Sequence, residues 1–355
     1  MPKLRLAALA AVVTSACSVS GPPTGEVIAA PQPPPSGGDD GCPRTECGGS
    51  GNSPVMDGVY FWSLAFDGTA NNQGFSFSPG SAEKAGMPLW LMLGGPGDRW
   101  RAVAQSSPNI VFEHFDLRDV TFAVERDGKA FRIRIADVYP DQEAFWAAAE
   151  TDDPGKVESY KLAFTPLNDP DQPRDEHWLC SHPTGEPGEL TAIVFGGDIY
   201  DADTKRITVG LGAVGWFNIA CYMGAPWKMH IVGHTRIANL RLGIDTSLDK
   251  RRAMLNAWTM NACGTGRPFT HPGEPIRLHE DPELLVDDSP YLRRSVSHEA
   301  IWGPTGALCL DVPRLWEEDL EIRSKIQAEC GGRLPQPCGA TWPAGGQVST
   351  GNPPE

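Results

Sequence analysis

Apolar and polar positions alternate most clearly between residues 120 and 135. Val120, Phe122 and Val124 alternate with polar or small residues, and so do Phe131, Ile133 and Ile135. Asp127-Gly128 lies between the two runs and suits a two-residue type I′ turn. That turn sets Arg126 opposite Lys129, Val124 opposite Phe131, Phe122 opposite Ile133 and Val120 opposite Ile135. All six apolar side chains then share one face, so turn chemistry and pattern specify the same register. Further runs with strand character lie near Val59–Phe66, Leu89–Leu93, Ser159–Phe164, Leu190–Phe195 and Arg206–Leu211.

Helical periodicity is confined to two stretches. Leu248, Leu255, Trp258 and Ala262 fall on one side of a helix expected from about Ser247 to Ala262. Thr246 with Asp249 resembles a capping box at its start, and Gly264 suits its stop. Leu315, Trp316, Leu320, Ile322 and Ile326 form a stripe on a second helix, expected from about Arg314 to Glu329 between Pro313 and Gly331-Gly332. No repeat of fixed period is visible. The pattern predicts a β-rich α+β fold, with antiparallel sheets, one or two packed helices and disulfide bracing.

The ends of the chain differ from this middle. Lys3 and Arg5 precede the apolar run Leu6 to Val13, and Ser15-Ala16 leads into Cys17. Residues 1–16 therefore read as a signal peptide, too short to span a bilayer. A cysteine directly after the small residues resembles the bacterial lipobox, where it becomes the acylated, palmitate-bearing N-terminus. Thr14 departs from the aliphatic residue usual at its position. Residues 17–57 are expected to form a Pro/Gly-rich tether, with Pro33-Pro34-Pro35 and Gly37-Gly38, too poor in apolar surface to order. Cys42 and Cys47 close a small loop at its far end. The expected domain covers 58–313, a helix and cysteine loop cover 314–338, and a disordered tail covers 339–355.

Cysteine count and charge narrow the setting. Nine cysteines less Cys17 leave Cys42, Cys47, Cys180, Cys221, Cys263, Cys309, Cys330 and Cys338. An even remainder in an exported chain suits up to four disulfides, and about a hundred connectivities are open. Cys330 and Cys338 could close the loop after the second helix. The formal charge is −15, and removing Lys3 and Arg5 with the signal takes it to −17. Such a chain is repelled by nucleic acid and by anionic membrane surfaces, so the membrane partner expected is lipid reached through the anchor. The expected location is the outer membrane, facing the periplasm or the cell surface.

Several short segments carry a family likeness. Asn261-Ala262-Cys263-Gly264-Thr265-Gly266, followed by Thr270, Gly273 and Ile276, is one. Glu299-Ala300-Ile301-Trp302 and Gly306-Ala307-Leu308-Cys309 are others, with Trp178-Leu179-Cys180 and Phe217-Asn218-Ile219-Ala220-Cys221. Together they resemble the ADYC-domain proteins, exported and often lipidated proteins of myxobacteria and relatives, of uncharacterised function. The resemblance covers roughly 111–313 and is that of a divergent member. The name-giving tetrapeptide reads Met260-Asn261-Ala262-Cys263, and Met229 and Met254 stand where the family has two more cysteines. The resemblance implies Cys180–Cys221 and Cys263–Cys309 bridges, each contributing roughly 2–4 kcal/mol, with Met229 packed near Met254.

Candidate chemistry is sparse. His230 and His234 are spaced i, i+4, but Ile231-Val232-Gly233 favours a strand, which would hold them roughly 13 Å apart. His177, Cys180 and His182 form a second cluster, which an oxidised Cys180 could not serve. Asp198, Asp201 and Asp203 crowd one turn, and Asp169, Asp171 and Asp175 another. Calcium is the one cofactor such oxygen-rich turns would suit, although neither has EF-hand spacing. Ser81-Ala82-Glu83-Lys84 matches Ser-x-x-Lys without a companion Lys-Thr-Gly, and no Gly-x-Ser-x-Gly elbow or phosphate loop occurs. Of eleven tryptophans, Trp216, Trp227, Trp258 and Trp302 are expected to fill a core; the alternative is an exposed platform for a glycan or protein ligand. The reading is a binding or structural module of the cell envelope, with a secreted or periplasmic hydrolase as its rival.

Overall fold

In a computed structural model of the chain, Asp127 and Gly128 take φ of 50° and 75°, both in the left-handed region that a type I′ turn needs. The flanking strands pair Arg126 with Lys129, Val124 with Phe131 and Phe122 with Ile133, and Ile135 N–H donates to the Val120 carbonyl. The hairpin thus has the register that the alternation dictates. The structure describes residues 63–351, apart from 96, 144–155, 168–175, 181–189, 210–214, 223, 232, 239–246, 271–275, 281–297, 316–318 and 340–342. The signal segment, Cys17, the tether and the Cys42/Cys47 loop lie outside them.

Strands are numbered in chain order. The first nine are β1 (Ser63–Ala65), β2 (Ser76–Phe77), β3 (Glu83–Lys84), β4 (Met87–Gly94), β5 (Arg99–Ala104), β6 (Val111–Phe112), β7 (Thr121–Arg126), β8 (Lys129–Glu143) and β9 (Lys156–Pro166). The rest are β10 (His177–Trp178), β11 (Ala192–Gly196), β12 (Asp198–Asp201), β13 (Arg206–Val209), β14 (Trp216–Cys221), β15 (Arg277–Glu280), β16 (His298–Gly303), β17 (Gly306–Leu310) and β18 (Val348–Gly351). The helices used below are α1 (Ala225–Ile231), α2 (Leu248–Thr259) and α3 (Ile322–Glu329).

The main sheet has the order β1-β14-β11-β9-β8-β7-β3-β4-β5-β6, with β10 against β9 and β2 against β7. All its pairings are antiparallel. The sheet curls over itself. Trp100 on β5 lies 4.8 Å from the Tyr160 ring on β9, and its backbone N–H donates to the Tyr160 hydroxyl at 2.8 Å. Phe122 and Phe217 meet Trp100 edge-on and complete an aromatic core. A ribbon, β12–β13, and a four-stranded sheet, β15-β18-β16-β17, complete the β structure. Helix α2 packs against the four-stranded sheet, β13 and α1. Trp227, Trp258 and Trp302 are buried in the second core around it, whereas Trp216 is half-buried at the start of β14.

Several elements depart from the expected ones. Helix α2 starts at Ser247, whose side chain accepts from Lys250 N–H. It stops at Thr259, with Met260 left-handed at φ 49°, five residues before Gly264. Residues 230–231 are helical rather than extended, because α1 lies buried along its whole length against α2. Helix α3 covers only the second half of its predicted span. Arg314 and Leu315 instead anchor a turn, held by Glu299 and by the core respectively. The tail expected to be disordered supplies β18, which pairs with β15 on one side and β16 on the other. Its Val348 and Thr350 are fully buried, so the folded domain runs past residue 338 to Gly351. Pro/Gly content hid a four-residue strand whose partners lie about 50 and 70 residues earlier in the chain.

Candidate functional site

Among the described residues three disulfides brace the fold. Cys180–Cys221 joins the segment after β10 to the end of β14, with Cα atoms 5.5 Å apart, as the family likeness implied. The other expected bridges are exchanged. Cys263 pairs with Cys330 and Cys309 with Cys338, at Cα separations of 5.1 and 4.9 Å. The physical reason is the C-terminal segment. It runs along β17, where Cys309 and Gln336 form a parallel bridge and Leu310 N–H donates to the Gln336 carbonyl. Cys338 is thereby brought to Cys309, and the end of α3 to Cys263. Met229 and Met254 are both fully buried, on helices that pack together.

The Asn-Ala-Cys-Gly-Thr-Gly segment is a structural joint. The Asn261 side-chain amide donates to Asn256, and its oxygen accepts Gly266 N–H. Ala262 accepts Ala307 N–H from β17. A Cβ on Gly266, at φ 96°, would stand 2.0 Å from the Asp203 carbonyl, so only glycine allows the β12–β13 turn to seat there. Beside this joint is a shallow cleft of about 470 Å³, walled by Cys263, Cys330, Thr265, Thr305, Glu329 and Arg333 among others. The hydroxyl of Thr265, and then Arg267, hold the Glu329 carboxyl below its ordinary value. Its charged group is thus already engaged from within the chain.

Among the described residues the sequence-predicted chemical sites do not assemble. His230 Nδ1 bonds Thr235 Oγ1 at 2.8 Å, and its ring stacks on Phe195 at 4.8 Å. His234 is buried beside it, with its N–H on the Met229 carbonyl. Asp198 is held by Arg251 at 2.6 and 3.0 Å, in a buried pair. Asp201 caps its own turn by accepting from the Asp203 and Thr204 N–H groups. The acidic turn therefore spends its oxygens on the fold. Cys180 is oxidised, and Ser81 accepts Ala123 N–H beside the two-residue strand β3. His182, Asp169, Asp171 and Asp175 lie outside the described residues. Among the described residues no group of three or more His, Cys, Asp or Glu is placed to hold a metal ion.

A different cluster stands at the surface where β6 leads into β7. Glu113 is extended, and His114 turns the chain at φ 52°, an uncommon conformation for a residue with a Cβ. A 3-10 turn, His114–Leu117, follows and packs on β5 and β8. It presents Phe115, 52% exposed, with the Arg118 guanidinium 5.2 Å over its ring. Arg118 Nε donates to Asp137 Oδ1 at 2.5 Å. Burial pushes the Asp137 carboxyl up, but the Val138 N–H, Arg118 and the Tyr139 hydroxyl together hold it below its ordinary value. Tyr139 is itself 43% exposed. Exposed ring, guanidinium and phenol, with the half-buried carboxylate between them, thus form one continuous strip, Phe115–Arg118–Asp137–Tyr139.

Behind the strip lies a buried acid. His114 Nδ1 contacts Glu158 Oε1, and Glu158 is only 5% exposed. The Tyr160 hydroxyl donates to Glu158 Oε2 at 2.7 Å. Burial, and then the charge of Glu158, raise the Tyr160 phenol well above its ordinary value, so it stays a donor. Neither His114 nor Glu158 stood out in the sequence. The signal was present on β9, where Glu158 heads the alternating face Glu158, Tyr160, Leu162, Phe164. An acid on a core-facing row demands a partner.

A family model for the ADYC domain matches residues 114–316, more than half of the chain. The chain belongs to the ADYC domain family. No curated protein and no solved structure matches it. In this member the ADYC match begins at His114 itself, and the surface strip and buried acid all fall within it. The three disulfides among the described residues, Cys180–Cys221 wholly within the ADYC match, fit an extracellular or periplasmic environment. Among the described residues no helix is long and apolar enough to cross a membrane.

Proposed function

We propose that this protein is an exported lipoprotein, acylated at Cys17 and held off the outer membrane by its Pro/Gly-rich tether, whose ADYC domain binds a hydroxyl-rich glycan of the envelope. The observation that carries the binding reading is the surface strip Phe115–Arg118–Asp137–Tyr139. Aromatic faces stack on the C–H faces of sugar rings, while a guanidinium and a carboxylate fixed beside them offer paired donors and acceptors for hydroxyls. A binding module needs such a rigid, shallow patch, and the strip is built on a strand and a short turn rather than on a long loop.

Isolated cell-wall sacculi are the probe. The full chain is expected to co-sediment with them, and Phe115→Ala/Tyr139→Ala to weaken that at least about tenfold with unchanged melting. Equal sedimentation of the two, or none by the wild type, overturns the glycan reading. The anchor is tested separately. Metabolic labelling with an alkyne fatty acid is expected to mark the wild type and to leave Cys17→Ala unlabelled and released from membranes. An unlabelled wild type ends the lipoprotein reading without touching the glycan one.

A further inference from the structure

The His114–Glu158–Tyr160 arrangement is more than a glycan-binding strip requires. Glu158 is removed from water and has both oxygens engaged, one by His114 Nδ1 and one by the Tyr160 hydroxyl. Tyr160 is locked in turn, since its oxygen accepts Trp100 N–H at 2.8 Å. A carboxylate held so on its inner side can only orient what lies on its outer side. That group is an imidazole whose side chain is 49% exposed. With Nδ1 turned inward, Nε2 is at the opposite edge of the ring and is its remaining polar atom. His114 also holds a left-handed backbone at φ 52°, an uncommon conformation for a residue with a Cβ. A buried acid fixing one ring nitrogen and leaving the other as a base is the orienting half of a catalytic dyad or triad.

We infer that His114 is the reacting imidazole of a site for ester-bearing ligands, with Glu158 as its positioning residue. The Nε2 lone pair attacks the acyl carbon, and the ester C–O bond breaks with its electron pair leaving on the alcohol oxygen, which takes a proton from solvent water. The resulting acyl-imidazolium is neutralised by the adjacent Glu158 carboxylate. Water then adds to the acyl carbon, the C–N bond breaks, and the carboxylic acid leaves with the imidazole restored. The net change is ester plus water to acid plus alcohol, with no oxidant or metal required. This inference is independent of the glycan reading, since it rests on the dyad and not on the aromatic strip.

p-Nitrophenyl acetate with the full chain is the test. His114→Asn, a change at a half-exposed turn, is expected to lower p-nitrophenolate release at least about tenfold. Peptide mass mapping is expected to find the trapped acetyl group on His114 in preference to the other histidines. Glu158→Gln should lower the rate similarly while near-UV circular dichroism stays unchanged. Its imidazole ¹⁵N spectrum should also lose the single Nδ1–H tautomer, which a packing role alone would not alter. Unchanged release by His114→Asn, or acetyl groups spread evenly over the histidines, overturns the inference. If Glu158→Gln does not fold, the His114→Asn comparison alone decides.

Discussion

Arg314→Ala is expected to cost about 3–5 kcal/mol, the usual loss when one partner leaves a buried ion pair. The Arg314 and Glu299 side chains are 1% and 0% exposed. Nε donates to Oε1 at 2.7 Å and Nη2 to Oε2 at 2.5 Å, a two-pronged fit. The Arg314 backbone N–H adds a third bond to Oε1 at 3.0 Å. Nη2 also reaches the Ala257 carbonyl near the end of α2, at 3.2 Å. Glu299 Oε2 takes the Thr350 hydroxyl at 2.7 Å, and Thr350 accepts Trp302 Nε1 at 2.8 Å. One ion pair therefore joins α2, β16 and the late strand β18. Truncating Arg314 leaves a buried carboxylate facing apolar groups, with water unable to replace the guanidinium. Equilibrium urea unfolding with the disulfides intact measures the loss. Replacing both partners by apolar residues of similar volume should recover most of it, because desolvation of the two charges is then also removed. A single-variant loss under 1 kcal/mol would mean that water reaches the pair.

The hairpin was fully legible because its information is local. Asp127-Gly128 and six alternating apolar residues sit within sixteen positions, and turn and pattern agree. The β-rich class and the strand near Ser159–Phe164 followed from the same kind of signal. Whatever depended on distant partners was not legible. Residues 348–351 read as tail because their pairing residues on β15 and β16 are remote in the chain. The Cys309–Cys338 bridge depends on that same C-terminal return, so spacing could not disclose it. At the surface, Phe115 and Arg118 are one helical turn apart, but Asp137 and Tyr139 reach them only through the contact of the turn with β8. Glu158 was overlooked for a subtler reason. A single acid at the end of an apolar row reads as the strand's polar boundary, when it is the first residue of its buried face.

Lys228→Met is expected to stabilise the fold near pH 7 and to remove a pH dependence from it. Lys228 lies on α1 with no exposed surface, its ammonium nitrogen 5.6 Å from the Trp258 ring centroid. Burial lowers its pKa from 10.5 to about 7. The direction follows from burial alone, since a low-dielectric core disfavours the charged amine. Below about 7 the folded and unfolded chains both hold the proton, so the cost of the buried charge is present in full and constant. Between about 7 and 10.5 the unfolded chain keeps the proton that the folded chain has released, so stability rises with pH. At roughly 1.4 kcal/mol per tenfold change in proton affinity, the fall from 10.5 to about 7 amounts to on the order of 5 kcal/mol. Methionine matches the length of the lysine stem and carries no charge. It forfeits the attraction of the amine to Trp258, roughly 1–2 kcal/mol for a desolvated pair, so the net gain at pH 7 should be about 3 kcal/mol. Urea unfolding of both proteins at pH 6 and pH 9 checks this. Wild-type stability should gain on the variant between the two values, and parallel pH dependences would mean that Lys228 is solvated in the folded chain.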